Sequence, residues 1–529
     1  MGMQYVCASD FASSRKLSSQ TLEDLAIIPY PNGTQSSLEQ ILNSCKTSAG
    51  RKYFSQSLQQ CATDIAMLRE RQAQVVALAQ KPAVIAKAED ALMSCARYEP
   101  EFGHLCSHTY DRFYANRESM LLRHIAHGLG KDAGTIVSRI NGSEVALTAS
   151  CWQQYLQILG PTLVHILGFY STGSDCAHQH HTGHSNVAKH ECNGSSGGKG
   201  LVVLRFYFLY EILAHVFSWN ALKNDWMDTN NSIALMQQEI CSYKAYLTQA
   251  RMLYDVLKGD NKYLIQKHAP LLEHLFGESQ KPDTMREHVR MLMNSDWDVA
   301  QKRWFNPGSV LVAYKQLNVH REMYETVCKQ IGILDAYVRV AKLLTIGQNA
   351  PYCAVSFVDS VEPSLQVTGL RHHAIAQGQM RPMDVSLSGD QRLLVIKGGN
   401  GSGKSTMLTA LGQAIALSQW GIAPARACTC TPFHTIYSRS VNRDNIETGK
   451  SHFYYENANH RAMLEEIANQ KKPTLVLLDE PYSCTNQEAG IKHLITLLQA
   501  LAQEKYAVSI VATHLPVDQI DSPVLTLAS

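Results

Sequence analysis

The sequence predicts an α + α/β chain, with a long helical region followed by a smaller α/β region. Three observations carry that expectation. From residue 36 to about 350, apolar residues recur at three- and four-residue steps with little β-type alternation. At Gln348-Asn349-Ala350-Pro351 this texture stops, and short apolar runs begin to alternate with helical segments. The first fully apolar run, Leu393–Ile396, is followed at once by a glycine-rich turn and another helical segment, Met407 to Trp420.

Bulk properties bound the chain before any motif is read. Its 529 residues allow two to four domains with cores of their own. A formal net charge of +2 excludes a strongly basic protein, so any contact with nucleic acid must be local. Fourteen cysteines are scattered without a C-x-x-C pair, which reads as reduced thiols and a cytoplasmic location. Residues 1–35 form an N-terminal segment without the apolar stretch of a secretory signal. Gly2 alone does not make a myristoylation signal, because Val6 stands where Ser or Thr is required.

Helices are expected from Ser36 to about Ala96, on the spacing of Leu38, Ile41 and Leu42, then Phe54 and Leu58, then Ile65 and Leu68. An insertion at 171–200 is rich in Gly, Ser and His, with Cys176, His178, His180, His181, His184, His190 and Cys192. Its spacing matches no standard zinc site, so a polar surface loop is the simpler reading and bound metal the alternative. Leu201 to Trp219 has the length of a membrane span, but Arg205 and Glu211 lie inside it. Each central charge costs about 2.5–3.5 kcal/mol on insertion scales, which favours a buried helix and no membrane. After the turn Asn306-Pro307-Gly308, the residues Tyr324, Val327, Ile331, Leu334, Val338 and Ala341 mark one long amphipathic helix with a seam for another. The helical domain therefore runs over 36–350 and the α/β domain over 351–529.

The glycine-rich turn carries the chemistry. Gly398-Gly399-Asn400-Gly401-Ser402-Gly403-Lys404-Ser405-Thr406 is a P-loop in the strand–loop–helix context that such a loop needs. Its main-chain N–H groups would converge on the phosphates of ATP at the positive end of the next helix. Lys404 would reach the β- and γ-phosphates, and the Ser405 hydroxyl would sit on Mg²⁺.

Two further strand ends complete a hydrolytic site. Thr474–Leu478 runs into Asp479-Glu480, giving a carboxylate for Mg²⁺ in Asp479 and one to polarise the attacking water in Glu480. Val508–Ala512 ends in Thr513-His514, and His514 would sense or position the γ-phosphate, since strand ends of a parallel sheet line one crevice. The catalytic set is therefore Glu480, Lys404 and His514. A glutamate directly after the metal-binding aspartate is a feature of ABC-type ATPases. A transporter subunit would carry an LSGGQ signature before the Asp479 strand, and Asn459–Glu466 has none. Leu387-Ser388-Gly389-Asp390-Gln391 comes close, but it lies upstream of the P-loop and reads as a turn.

The connecting segments resemble the MutS family of DNA mismatch-repair and recombination ATPases. Pro424-Ala425, Ile436-Tyr437-Ser438-Arg439 and the stretch Asp444 to Glu456 are similar to that family's "VPA", "IFTR" and "DDLxxGxSTFxxE" patterns. Gly449-Lys450-Ser451-His452-Phe453 matches in order and spacing, with His452 where Thr is usual. Thr513-His514 matches the family's "ATH", whereas Pro481–Gln487 keeps only Thr485 of the "GRGTST" loop. The likeness extends upstream to Ser37–Thr47, Gly50-Arg51, Leu58, Ile65 and Arg69, and to Leu334–Ala341 and Val367–His372.

The resemblance implies a helical core and lever domain and a homodimer formed through the ATPase heads. In that arrangement Ser451 reaches the γ-phosphate held by the other subunit. It also implies a ligand in DNA of unusual shape, closed upon by a clamp within 225–310. Residues 1–35 are too few for the family's mismatch-reading domain and connector. An ATP-gated protein-interaction factor with no DNA role is the alternative reading.

Overall fold

The computed structural model describes residues 14–29, 37–105, 231, 233–278, 283–297, 306–345, 352–375, 382–399, 401–439, 452–483, 487–516 and 524–526. The insertion 171–200 and the apolar segment 201–219 lie outside them. The chain is mixed helical and α/β, and it divides into two compact units. One comprises residues 1–99, 248–281 and 325–529, and the other 100–247 and 282–324.

In the first unit a five-stranded parallel sheet forms from β6 (Leu393–Lys397), β9 (Thr435–Arg439), β10 (Thr474–Asp479), β11 (Ala507–Thr513) and β12 (Val524–Thr526). Its strand order is β12-β6-β11-β10-β9. The central strands β6, β10 and β11 are near-continuous apolar runs because both faces are covered. On one face Leu393, Val395, Val476, Leu478 and Val511 pack with Met463 and Ile467 of α13 (His452–Gln470) and Leu494, Leu497, Leu498 and Leu501 of α14 (Gln487–Gln503). The P-loop helix α12 (Lys404–Ser418) packs against β10 and β11. Leu387–Gln391 is the tight turn expected, closed by a Ser388–Gln391 bridge with Gly389 at φ +57°.

A second five-stranded sheet was not read in the sequence. It comprises β3 (Cys353–Phe357), β4 (Leu365–Leu370), β5 (Met383–Leu387), β7 (Ile422–Ala423) and β8 (Ala427–Cys430), in the order β5-β4-β8-β3-β7. Its strands alternate buried and exposed residues, as a sheet with one solvated face does.

The same unit also holds a set of helices. These are α3 (Ser48–Leu58), α4 (Ile65–Ala79), the start of α5 (Pro82–Leu105) and the end of α6 (233–260), then α7 (Lys262–His268) and α8 (Pro270–Phe276). The long helix expected around 324–341 spans α11 (Arg321–Thr345), and Val327, Ile331, Leu334, Val338 and Ala341 are all buried.

Two helix starts in this unit are held by side chains distant in sequence. Asp335 of α11 accepts hydrogen bonds from the Thr47 N–H (2.7 Å) and hydroxyl (2.8 Å) at the start of α3. Gln330 Oε1 accepts from the Leu271 and Leu272 N–H groups at 3.1 and 3.2 Å, supplying a cap that α8 lacks of its own.

The join to the α/β region centres on Trp420, just past α12. Its ring is fully buried beside Phe54 and Tyr337 at 5.9 and 5.3 Å. Its indole N–H donates to Ser57 Oγ at 2.7 Å, and the Arg71 guanidinium lies over the ring.

The N-terminal segment also docks here. β1 (Arg15–Lys16) pairs with β2 (Gln60–Cys61), and α1 (Ser19–Asp24) packs on the edge strand β9, where the Thr21 hydroxyl donates to Ile436 O. Arg15 donates to Thr435, Glu466 and Gln470. On α12, the buried Gln413 donates to Leu25 O at 3.0 Å, and Gly412 leaves the space that Leu25 occupies.

The second unit includes α9 (Thr284–Asn294) and α10 (Pro307–Val319). Tyr324 is fully buried in it, against Tyr243 and in a 2.8 Å hydrogen bond with His288.

A Cβ added at Gly332 would lie 2.6 Å from the main-chain carbon of Ala49. Gly332→Ala gains about 1 kcal/mol of helix propensity, yet overpacking of this order costs about 1–3 kcal/mol. The expected outcome is a net loss of stability, read as a lower denaturation midpoint.

Candidate functional site

The C-terminal ends of β6, β11 and β10 lie side by side, because Thr513 is in register with Lys397 and Asp479 with Ala512. The strand carrying His514 therefore separates the P-loop strand from the Asp479-Glu480 strand, and all three motifs meet at one edge of the sheet. Of the residues expected to form the site, Gly398, Gly401, Ser402, Gly403, Lys404, Ser405, Thr406, Asp479, Glu480 and His514 lie at this edge or in the loop and helix beginning there. Asn400 and Ser451 lie outside the described residues.

The loop needs glycine for its backbone angles. Gly401 and Gly403 sit at φ +81° and +93°, and no atom lies within 4 Å of a Cβ built on either. Crowding is therefore not the reason; the left-handed backbone is. Gly403 is the N-cap of α12 and provides no side-chain cap, so the first N–H groups of the helix remain available to an anion.

Lys404 is almost fully buried, at 4% exposure. Its ammonium donates to Gly398 O at 2.9 Å and Gly399 O at 3.0 Å, and stands 3.6 Å from Glu480 Oε1. The same carboxylate oxygen is 3.5 Å from His514 Nδ1, on a side chain that is about half exposed. Glu480 thus lies between the P-loop lysine and the histidine of the central strand.

Asp479 is desolvated, which raises its carboxyl above the ordinary aspartate range, while a hydrogen bond with Ser405 acts in the opposite direction. Its Oδ1 is buried without a hydrogen-bond partner. A buried carboxylate oxygen left open beside a serine hydroxyl is a donor set of the kind that Mg²⁺ takes, so these residues fit the ion.

The turn after Asp479 is strained. Glu480 and Tyr482 adopt φ of +50° and +61°, either side of Pro481, and such a conformation costs a non-glycine residue about 1–3 kcal/mol. Hydrogen bonds hold it. The Glu480 N–H donates to Ala512 O at 2.8 Å, and the Tyr482 N–H donates to Glu456 Oε1 of α13 at 2.9 Å. The Tyr482 hydroxyl shares a 3.0 Å hydrogen bond with His460 Nδ1, one turn further along α13. Glu456 and His460 are buried, at 4% and 3% exposure. Sequence reasoning reached Glu456 only as the last letter of a motif and His460 not at all. Their four-residue spacing on a helix was the available signal.

The fold and this constellation define a P-loop-type α/β domain. Residues 394–520 match the model of MutS domain V. The mouse DNA mismatch repair protein Msh3 is 24% identical over 237 residues, which is 40% of this chain and 21% of that protein. The DNA mismatch repair protein MutS of Fervidobacterium nodosum is 27% identical over 39% of this chain and 26% of its own length. That of Chlorobium chlorochromatii is 28% identical over 45% of this chain and 28% of its own. Over these residues the chain is similar to the MutS family, and to its domain V in particular. Its matched part spans less than a third of the length of each of these relatives.

Gly403→Ala places a Cβ on a left-handed backbone, which costs about 1–2 kcal/mol. A cost of that order lowers ATP affinity about tenfold. Titration with a fluorescent ATP analogue reads this, and unchanged affinity would show that the loop does not hold the phosphates as drawn.

Proposed function

We propose that the chain is an ATPase that pairs through its α/β domains and uses ATP to close helices of its core and lever, residues 36–350, around a ligand. The observation that carries this reading is the placement of Glu480 Oε1 within 3.6 Å of Lys404 and 3.5 Å of His514, next to the open oxygen of Asp479. The loop N–H groups and Lys404 bind the β- and γ-phosphates of ATP. Ser405 and Asp479 hold Mg²⁺, which when bound neutralises charge on those phosphates. Glu480 takes a proton from a water whose oxygen attacks the γ-phosphorus, and the bond to the bridging oxygen of ADP breaks. His514 orients the Glu480 carboxylate and the γ-phosphate.

Ser451 completes the site of a second copy, which makes the active form a homodimer. Glu480→Gln retains ATP binding, loses turnover about 100-fold or more, and accumulates as a dimer in sedimentation. A Glu480→Gln protein that turns over normally refutes the assignment of the base. Mixing Ser451→Ala with Lys404→Ala subunits restores activity, because each mixed dimer keeps one intact site. Confirmed heterodimers without activity would place Ser451 outside the partner's site.

The relatives' names point to DNA mismatch repair, and we take structured or mismatched DNA as the ligand, bound through backbone and shape. One observation favours a second reading, an ATP-gated factor for a protein partner. Lys258 and Lys267, within the segment expected to clamp, are engaged by Glu273 and Glu70, and Arg286 is buried. The ATPase rate with homoduplex, mismatched and four-way DNA separates the two. Stimulation that declines steeply with salt supports DNA, and a rate indifferent to all three supports the protein partner.

A further inference from the structure

We propose that Glu456 is a positioning residue for hydrolysis, holding the strained turn that presents Glu480. The proposal rests on the ATPase reading above and goes beyond it to a residue that is bonded to the main chain of the turn after Glu480. Three observations lead to it. Glu480 and Tyr482 both take left-handed φ, +50° and +61°, where a glycine would be at ease. Such a turn persists only when its surroundings over-determine it. At Glu480 the restraint is a bond to the sheet, from its N–H to Ala512 O. At Tyr482 it is a bond to a helix, from its N–H to the buried Glu456 carboxylate at 2.9 Å.

The geometry separates two roles that a carboxylate can play. Glu456 accepts from a main-chain N–H, a bond that an amide oxygen at the same reach also makes, so reach is the property the proposal assigns to it. Tyr482 is fastened a second time through His460, four residues along the same helix, which turns the loop and α13 into one rigid piece. Pro481 adds a fixed φ between the two strained residues. Release of the Tyr482 N–H therefore shifts the main chain two residues from the Glu480 carboxylate. A displacement of about 1 Å at a reacting group costs on the order of 100-fold in rate. The P-loop is built on another strand, and Lys404 keeps its bonds to Gly398 O and Gly399 O, so nucleotide affinity changes far less than the rate.

The test compares Glu456→Gln, Glu456→Asp and Glu456→Ala in the full chain with Mg²⁺ and ATP. Glu456→Gln removes the charge and keeps an acceptor at the same reach, and its kcat stays within about threefold of wild type. Glu456→Asp keeps the charge and withdraws the acceptor by one methylene, and its kcat falls about tenfold or more. Glu456→Ala falls at least as far. Binding of a fluorescent ATP analogue stays within about twofold in all three. In a Glu480→Gln background, Glu456→Ala lowers the residual rate no further, since the two act as a unit. Glu456→Asp remains decisive even if the alanine variant fails to fold.

Normal kcat in a folded Glu456→Asp protein overturns the proposal. So does a loss in Glu456→Gln that equals the loss in Glu456→Asp. A wild-type protein that binds ATP and never hydrolyses it overturns the ATPase reading and takes this proposal with it. An active wild type with an indifferent Glu456→Asp removes the positioning role alone.

Discussion

The helix that begins at the P-loop is buried on every side, and the first unit is arranged around that fact. From Met407 to Ser418 every described residue except Thr409 is buried, including Gln413 and Ser418. An ordinary surface helix has one wet face; a helix that is apolar all round belongs inside a core. Strands β10 and β11 cover one side, the N-terminal segment covers Gly412 and Gln413, and Trp420 is gripped by helices from both ends of the helical region. A single rod of structure therefore joins the phosphate loop to Tyr53, Phe54, Arg71 and Tyr337. Anything that shifts the loop end meets close packing at the other, and dense interiors transmit displacement rather than absorb it.

That arrangement also explains how a chain of modest net charge can favour an anion at the loop. The ammonium of Lys404 is desolvated and ringed by two carbonyls and a carboxylate, so its field is directed into the loop and not into bulk water. The Asp479 Oδ1 is likewise buried. Local placement does what a high net charge could not do specifically.

Much of the site was legible in the sequence, for a physical reason. Parallel strands buried on both faces are uninterrupted apolar runs, so Leu393–Ile396, Thr474–Leu478 and Val508–Ala512 announced themselves, and polar residues at their ends had to share an edge. The second sheet was missed because strands with one wet face, such as Ala427–Cys430, carry short alternations that resemble loops. The N-terminal docking was missed for another reason: Gly412, Gln413 and Leu25 have unremarkable neighbours in sequence, and their contact spans nearly the whole chain. The Glu456–Tyr482 bond went unread because a left-handed tyrosine makes no mark in composition, and the Glu456–His460 spacing does not name the partner of either residue. Of the expected site residues, all but Asn400 and Ser451 lie within the described residues.

The docking of residues 14–28 has a consequence for how the protein is made. Arg15 bonds to Gln470, 455 positions later in the chain. At synthesis rates of roughly 5–20 residues per second, that partner emerges on the order of 20–90 s after it. Until α12 and β9 are made, Leu17, Leu22, Leu25 and Ile27, all buried in the finished fold, lack the elements that this segment packs on. The α/β part of the molecule closes late, around a piece of chain made long before it.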